Sequence, residues 1–181
     1  MLNNCNRYLE QRLEHGERYT LRERGSVLFI KAATNLEIYK VDNGIISKRI
    51  QGQNKCDYLM INTTELASNF VELKGTDTEH ACDQIHDTVV FFKQNRELRE
   101  AVVDVNQVKG YIVSPNGNVP NINSVSRKKV CRELYQLSKK KLSTLFDHLV
   151  FIRCVKRVSA GYRPGETPTV ILVDNNHPLI V

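Results

Sequence analysis

The pattern of apolar and polar positions divides the first part of the chain into one predicted helix and several predicted strands. Apolar residues recur at helical spacing from Leu2 to Leu13, and Gly16 follows, which predicts a helix over residues 2–15. Three later runs rich in strand-forming residues predict strands at Ser26–Ala33, Leu36–Val41 and Ile45–Ile50. An Asn-Gly pair at 43–44 predicts a turn between the last two strands, and Asp42 is interpreted as part of that turn rather than as a metal ligand.

A β-hairpin is predicted in the stretch that follows, over residues 55–75. Tyr58–Ile61 and Phe70–Leu73 are short apolar runs that contain strand-forming residues. The polar segment Thr63–Ser68 between them predicts the turn. The first part of the chain therefore predicts a series of antiparallel strands that leads into this hairpin.

Three charged residues are expected to converge at the open end of the hairpin. With the turn centred near residues 65–66, Asp57 lies opposite Lys74 and diagonal to Glu72. Side chains alternate between the two faces of a strand, so all three are expected on one face. Such a cluster is costly in a core but suits Mg²⁺, which takes one or two protein carboxylates and completes its shell with water and substrate phosphate. An exposed hairpin with a solvated charge cluster is the alternative interpretation.

Helices and strands alternate in the second half of the chain. Thr76 and Glu79 have the spacing of a capping box, and an apolar stripe follows, which predicts a helix over residues 77–95. A strand predicted at Val108–Ser114 comes after this helix, so a crossover would place it parallel to strand 69–74. The remaining predicted elements are a helix at Ser126–Leu142 and strands at Leu149–Val155 and Thr169–Val173.

These elements predict an α/β fold with a mixed central β-sheet flanked by helices. The chain has 181 residues, of which 41% are hydrophobic, so it is long enough to bury a substantial core. No linker to a second domain and no internal repeat is evident, and a single domain is expected over residues 1–181.

The charged residues of the hairpin resemble the motif of the PD-(D/E)XK nuclease superfamily. That motif places an Asp at the start of one strand and Glu-x-Lys on the next, which here corresponds to Asp57, Glu72 and Lys74. The resemblance continues into the next helix, because several branches of the superfamily carry a glutamine where this chain has Gln84. It covers roughly residues 40–113, and the motif gains its specificity from this context.

The resemblance implies a restriction-endonuclease-like core of order αβββαβ and a metal-dependent nuclease that hydrolyses phosphodiester bonds. It implies that Asp57 and Glu72 bind Mg²⁺ or Mn²⁺. In the same comparison Lys74 positions the attacking water or neutralises phosphate charge, and Gln84 orients the site. The superfamily favours DNA over RNA as the substrate, and a homodimer is common among nucleases that cut duplexes, although the sequence shows no dimer face.

The resemblance also suggests two further acidic residues, and the sequence departs from the motif at one position. The first helix of the superfamily often carries an acid that reaches the metal, which makes Glu10 and Glu14 candidates for this role. A solvated helix face is the alternative interpretation of both residues. The departure is Cys56, which stands where the motif has proline, at a position that varies in the superfamily.

The formal net charge of +6 favours a polyanionic partner. The basic residues assigned to nucleic-acid binding lie shortly before Asp57 or in and beside the predicted second long helix: Lys48, Arg49, Lys55, Arg127, Lys128, Lys139, Lys140 and Lys141. Such side chains can contact a phosphate backbone, and a solvated loop and a solvated helix are the alternatives. A non-catalytic nucleic-acid-binding or interaction protein on the same scaffold is the alternative function, although inactive relatives usually lack one of the three motif residues.

The cysteines bear on a different class of function and on the compartment. There are five, scattered and without a CxxC pair, which disfavours both a zinc site and a disulfide framework and favours a reducing, cytoplasmic setting. A cysteine-based hydrolase would be an alternative enzyme, but no local signature supports it. No apolar run is long enough for a membrane span and no secretory signal is evident, so no membrane partner is expected.

Overall fold

The computed structural model describes residues 3–23, 25–47, 52–103, 105–115, 119–155 and 170–181. The strands of these ranges are β1 (Leu9–Leu13), β2 (Arg18–Glu23), β3 (Ser26–Lys31), β4 (Leu36–Lys40), β5 (Tyr58–Asn62), β6 (Ala67–Leu73), β7 (Gln107–Val113), β8 (Leu149–Cys154), β9 (Val170–Val173) and β10 (Leu179–Ile180). The helices are α1 (Thr78–Gln94), the short α2 (Arg96–Leu98) and α3 (Val125–Leu137). Short 3-10 helices cover Asn3–Tyr8 and Leu145–His148, and a π-helical turn covers Arg99–Val103.

Seven strands form one mixed sheet in the order β1-β4-β5-β6-β7-β8-β9. Neighbouring strands are antiparallel from β1 to β6 and parallel from β6 to β9. A smaller sheet has the order β10-β3-β2. The predicted α/β fold with a mixed central sheet flanked by helices is therefore confirmed.

Each face of the large sheet buries its own apolar core. On one face, α1 and α3 pack against the strands through side chains such as Ile85 and Leu134, which belong to the same core as Phe70 of β6. On the other face, the small sheet contributes Leu28, which belongs to the same core as Met60 of β5. Because both faces are covered, every residue of β5 and β6 is buried, and a polar side chain on either strand is removed from water.

The central hairpin is present, with a register two residues away from the predicted one. Tyr58 pairs with Val71, so the extended register places Asp57 opposite Glu72 and not opposite Lys74. A shift of one residue would move every side chain to the other face, whereas a shift of two keeps each side chain on its predicted face. Asp57 and Glu72 therefore still share one face, the one that α1 covers.

The predicted helix over residues 2–15 is wrong. The chain forms a short 3-10 helix and then continues as β1, which pairs with β4 at the edge of the large sheet. A β-bulge between Leu9 and Gln11 lets Leu9 contact the helix-covered core while Leu13 enters the other core. Their four-residue spacing therefore resembles a helical face, and the predicted αβββαβ order lacks its first helix.

The strand predicted at Ile45–Ile50 is also wrong for its described residues. Asn43 has a positive φ of 60°, as a tight Asn-Gly turn requires, but Ile46 makes only an isolated bridge with Asp42. Ile46 is fully buried and anchors this loop in the core. Residues 48–50 lie outside the described ranges. The strand that follows β4 in the sheet is therefore β5.

The elements predicted from α1 onwards are present with altered ends. α1 lies within the predicted helix at residues 77–95, but its N-cap is Asp77, whose side chain accepts a hydrogen bond from the backbone N–H of His80, and not Thr76. β7 pairs in parallel with β6, as the crossover predicted. β8 and β9 fall within the last two predicted strands. No helix in the described ranges is long and apolar enough to cross a membrane.

The helix predicted at Ser126–Leu142 is shorter at its C-terminal end. α3 stops at Leu137, because Ser138 adopts an extended conformation. The buried hydroxyl of Ser138 accepts a hydrogen bond from the N–H of Val108 at 2.8 Å, which ties the helix end to β7. The three lysines at 139–141 consequently lie beyond the helix on which they were predicted.

Candidate active site

Asp57 and Glu72 lie side by side at the end of the large sheet where β5 begins and β6 ends. Asp57 is 8% exposed and Glu72 is 2% exposed, because α1 covers this face of the hairpin. A carboxylate at such depth loses most of its hydration and is costly unless a partner compensates for the loss. The partners of the two carboxylates therefore indicate what the site can do.

Asp57 is held in place by the backbone of the neighbouring strand. Its Oδ2 accepts a hydrogen bond from the N–H of Leu73 at 2.8 Å, and its own N–H donates to the carbonyl of Val71 at 3.1 Å. Burial raises the pKa of Asp57 to about 6, although the hydrogen bond from Leu73 opposes this shift. The second carboxylate oxygen, Oδ1, is not used by the Leu73 contact.

The two carboxylate oxygens of Glu72 differ in their surroundings, because only one of them lies beside the ammonium group of Lys74. Oε1 of Glu72 is 3.7 Å from Nζ of Lys74, whereas Oε2 is buried and has no hydrogen-bond partner among the described residues. Burial raises the pKa of Glu72 to about 9; the charge of Asp57 adds to the shift and Lys74 opposes it. A buried carboxylate oxygen of this kind, with a second carboxyl group nearby, is one that a bound cation would satisfy.

Gln84 fixes the ammonium group of Lys74 next to Glu72. Nζ of Lys74 donates to Oε1 of Gln84 at 2.5 Å, and Nε2 of Gln84 donates to the backbone carbonyl of Lys55 at 2.8 Å. Gln84 therefore bridges β6 and the loop that precedes β5. The four residues predicted from the sequence for the catalytic centre lie together in the structure.

Asp42 is a third carboxylate near the pair, and its position was not expected. Its negative charge contributes to the raised pKa of both Asp57 and Glu72. Its Oδ1 is 4.0 Å from Nζ of Lys55, and its Oδ2 accepts a hydrogen bond from the side chain of Asn43 at 3.0 Å. The interpretation of Asp42 as a turn residue agrees with its contact with Asn43. It did not predict the position of Asp42 near Asp57 and Glu72, because that position depends on how the loop after β4 folds back.

The structure does not bring Glu10 or Glu14 to the carboxyl pair. Both side chains are exposed, Glu10 on β1 and Glu14 just after it. β4 lies between β1 and β5, so two strand spacings, roughly 10 Å in total, separate Glu10 from the strand that follows Asp57. Glu14 lies at the opposite end of β1. Their predicted role depended on an N-terminal helix that does not form.

Two of the basic residues assigned to nucleic acid have internal roles. Arg127 is only 5% exposed; it donates from Nη1 to the carbonyl of Pro120 at 2.7 Å, and its guanidinium lies 5.1 Å from the ring centre of Phe151. Lys55 donates to the carbonyl of Ser47 at 2.8 Å, and its side chain is 9% exposed. Neither side chain offers an open surface to a phosphate backbone.

The other basic residues lie in different places. Lys48 and Arg49 lie outside the described ranges. Lys128 is half-buried on α3 and donates to Oδ1 of Asn123 at 2.8 Å. The last three, Lys139, Lys140 and Lys141, are exposed and follow the end of α3. Nζ of Lys141 donates to the carbonyls of Tyr135 and Gln136, which caps the C-terminus of the helix.

The surroundings of the five cysteines disfavour a nucleophilic role. Burial raises the pKa of each of the five thiols: Cys5, Cys56, Cys82, Cys131 and Cys154. A catalytic cysteine needs the opposite shift, because its thiolate is the nucleophile. The cysteine-based hydrolase therefore finds no support in the structure.

A comparison of the chain with protein-family models, with curated proteins and with solved structures finds no match. The assignment of the candidate site therefore depends on the residues themselves, on their geometry and on the resemblance of the motif.

Proposed function

We propose that the protein is a metal-dependent nuclease that hydrolyses phosphodiester bonds, with DNA as the expected substrate. The observation that carries this proposal is the buried Oε2 of Glu72, which has no hydrogen-bond partner in the described part of the chain, in a carboxyl group close enough to Asp57 for that charge to raise its pKa. An apolar core has no use for two adjacent carboxyl groups whose pKa values are both raised by burial. A divalent cation would remove the conflict, because it stabilises the charged form of both groups.

The donor set fits Mg²⁺ or Mn²⁺. Asp57 and Glu72 supply hard oxygen ligands, and these ions commonly use one or two protein carboxylates together with water and substrate phosphate. In the described ranges, no group of three or more His, Cys, Asp or Glu side chains is placed so that it could hold a metal ion. The pair would therefore supply two protein ligands, and water and substrate would have to supply the others. When bound, it supplies a Lewis acid that acidifies water and offsets the charge that develops on phosphate.

The neighbouring side chains have complementary roles. Lys74, fixed by Gln84, presents an ammonium group 3.7 Å from Glu72, where it offers positive charge to a phosphate oxygen or orients the attacking water. Gln84 acts through Lys74 and is a positioning residue. Asp57 is held by the N–H of Leu73, so its carboxylate stays aligned with Glu72 before substrate arrives.

A cleavage assay over several substrates tests the proposal. The wild type is incubated with linear, circular, single-stranded and branched DNA, and with RNA, in Mg²⁺, Mn²⁺ or EDTA. We expect cleavage with either metal, none in EDTA and none by Glu72→Ala. A matched control is Glu37→Gln, because Glu37 is also buried but pairs with Arg12 at 3.1 Å, about four residues further along the sheet.

Three results would contradict the proposal. Cleavage that persists in EDTA would exclude a metal role, and equal cleavage by Glu72→Ala and the wild type would exclude this site. Tight binding of the same substrates in a gel-shift assay, with no cleavage under any condition, would support the non-catalytic nucleic-acid-binding protein instead.

A further inference from the structure

A groove of about 460 Å³ lies between α1 and α3, and neither Asp57 nor Glu72 lines it. Its lining includes Lys128, Lys129 and Arg132 of α3, here called the groove cations, and His86 of α1. Lys129 and Arg132 are exposed, and Lys128 is half-buried. The groove therefore presents a concentrated positive charge on the outer surface of the helical layer.

The acidic residues in and around the groove leave the charge of its lining positive. Glu133 lines the groove, but its Oε1 is 2.8 Å from Nζ of Lys93, which balances it. Asp87 lies next to His86 on α1, and its Oδ1 is 3.0 Å from Nδ1 of that histidine. Asp83 accepts a hydrogen bond from the hydroxyl of Ser126 at 3.2 Å, so it joins the two helices. Asp83 and Asp87 do not line the groove, so its lining carries the three groove cations against one carboxylate that is paired with Lys93.

The groove and the carboxyl pair share one end of the fold. α1 follows β6, and α3 follows β7. Because these two strands are parallel, both helices begin near the end of the sheet that carries Glu72. The groove cations occupy the first eight residues of α3, which is within about 12 Å of its start at a rise of 1.5 Å per residue. A polyanion that bound along these cations would therefore extend towards the end of the sheet that carries Asp57 and Glu72.

The lysines at 139–141 occupy the opposite end. The N–H of Lys140 donates to the carbonyl of Asn106 at 2.7 Å, and Asn106 immediately precedes β7. The carboxyl pair lies beside the end of β6, and β6 and β7 run in the same direction for seven residues. The length of such a strand, roughly 20 Å, separates the two regions.

We propose that the groove between α1 and α3 binds the phosphate backbone of a nucleic acid and directs it towards the Asp57–Glu72 pair. The partner is identified by charge complementarity, since a row of cations along one helix suits the phosphate backbone of a nucleic acid. The direction towards the pair rests on the proposed nuclease function. The binding of the backbone does not, and it can be measured without cleavage.

The test compares two charge reversals of equal size. Lys129→Glu/Arg132→Glu removes groove cations, and Lys139→Glu/Lys140→Glu removes two exposed lysines at the other end. Binding of fluorescent duplex and single-stranded DNA is measured by anisotropy in EDTA at several salt concentrations, after circular dichroism has shown that both variants fold. We expect the groove variant to bind at least about tenfold more weakly, with a slope of log K against log salt that is less steep by about 2. The control variant is expected to retain the wild-type slope.

The possible outcomes separate the two proposals. Wild-type binding by the groove variant, or equal losses in the two variants, would overturn the groove assignment even if the protein cleaves DNA. Loss confined to the groove variant would support the groove assignment even if no cleavage is found, and the nuclease proposal alone would then fail. Equal affinity of the wild type for polyglutamate and for DNA would overturn the assignment to nucleic acid and indicate an acidic protein partner.

Discussion

Asp57→Asn is expected to slow metal-dependent cleavage by about 10²–10³-fold while the fold is retained. Asparagine keeps the shape of the side chain, and its carbonyl oxygen still accepts the hydrogen bond that Leu73 donates to Asp57 at 2.8 Å. The negative charge that would bind the cation is lost. Single-turnover cleavage rates measure the effect, and thermal unfolding followed by circular dichroism checks the fold.

The control for this experiment is Glu37→Gln, which neutralises a buried carboxylate elsewhere on the large sheet. Glu37 contacts Arg12 and Tyr39 rather than the hairpin residues of the site. The Glu37→Gln variant is therefore expected to cleave at a rate close to that of the wild type. Undiminished metal-dependent cleavage by Asp57→Asn would remove Asp57 from the site. A similar loss of cleavage in both variants would show that reduced stability of the folded protein, and not loss of a metal ligand, slows the reaction.

Glu72→Gln is expected to stabilise the metal-free protein at about pH 8 by on the order of 2 kcal/mol and to change its stability little at about pH 5. The pKa of Glu72 is raised from 4.5 to about 9 in the folded protein, chiefly by burial. Between these two values the folded protein retains a proton that the unfolded chain releases. The contribution of Glu72 to stability is therefore complete below about pH 4.5 and is lost as the pH rises towards 9.

Urea unfolding in EDTA over this pH range measures the difference between the wild type and Glu72→Gln. The wild type should lose stability as the pH rises, and the variant should lose less because its amide does not titrate. Asp57, with a pKa of about 6, leaves a smaller slope of the same sign in the variant. Identical pH profiles for the two proteins would show that Glu72 does not carry a raised pKa. Glu37→Gln, which loses an ion pair with Arg12, is not expected to gain stability at high pH.

The fold was predictable wherever a single local pattern determines the structure. The apolar stripe of α1 and its place between two strands predicted both the helix and the parallel pairing of β6 with β7. The alternation of side chains along the hairpin predicted that Asp57 and Glu72 share a face. That prediction survived an error in register because the error was an even number of residues.

The errors arose where long-range contacts override the local pattern. β1 contains a bulge, and its apolar residues serve two different cores, so its spacing matched a helix. Ser138 ends α3 through a buried contact with Val108, a residue thirty positions away in the sequence. Neither the bulge of β1 nor the hydrogen bond between Ser138 and Val108 produces a recognisable pattern in the neighbouring sequence.

The candidate site was predictable in its four motif residues and less so around them. The proximity of Asp42 depends on a loop that folds back beside β5, and the burial of Arg127 depends on aromatic rings from β8 and the segment before it. Basic residues were assigned to nucleic acid by type and number. Only the structure distinguishes the groove cations from Arg127, which is buried, and from the lysines at the far end.

The most direct test of the central claim is a titration of the protein with Mn²⁺, followed by electron paramagnetic resonance of the free ion. The carboxyl pair is expected to remove one Mn²⁺ per chain from solution, with competition by Mg²⁺, and both Asp57→Asn and Glu72→Gln should weaken this binding by at least about tenfold. Glu37→Gln should bind as the wild type does. Absence of Mn²⁺ binding by the wild type, or equal binding by all four proteins, would contradict the assignment of Asp57 and Glu72 as metal ligands.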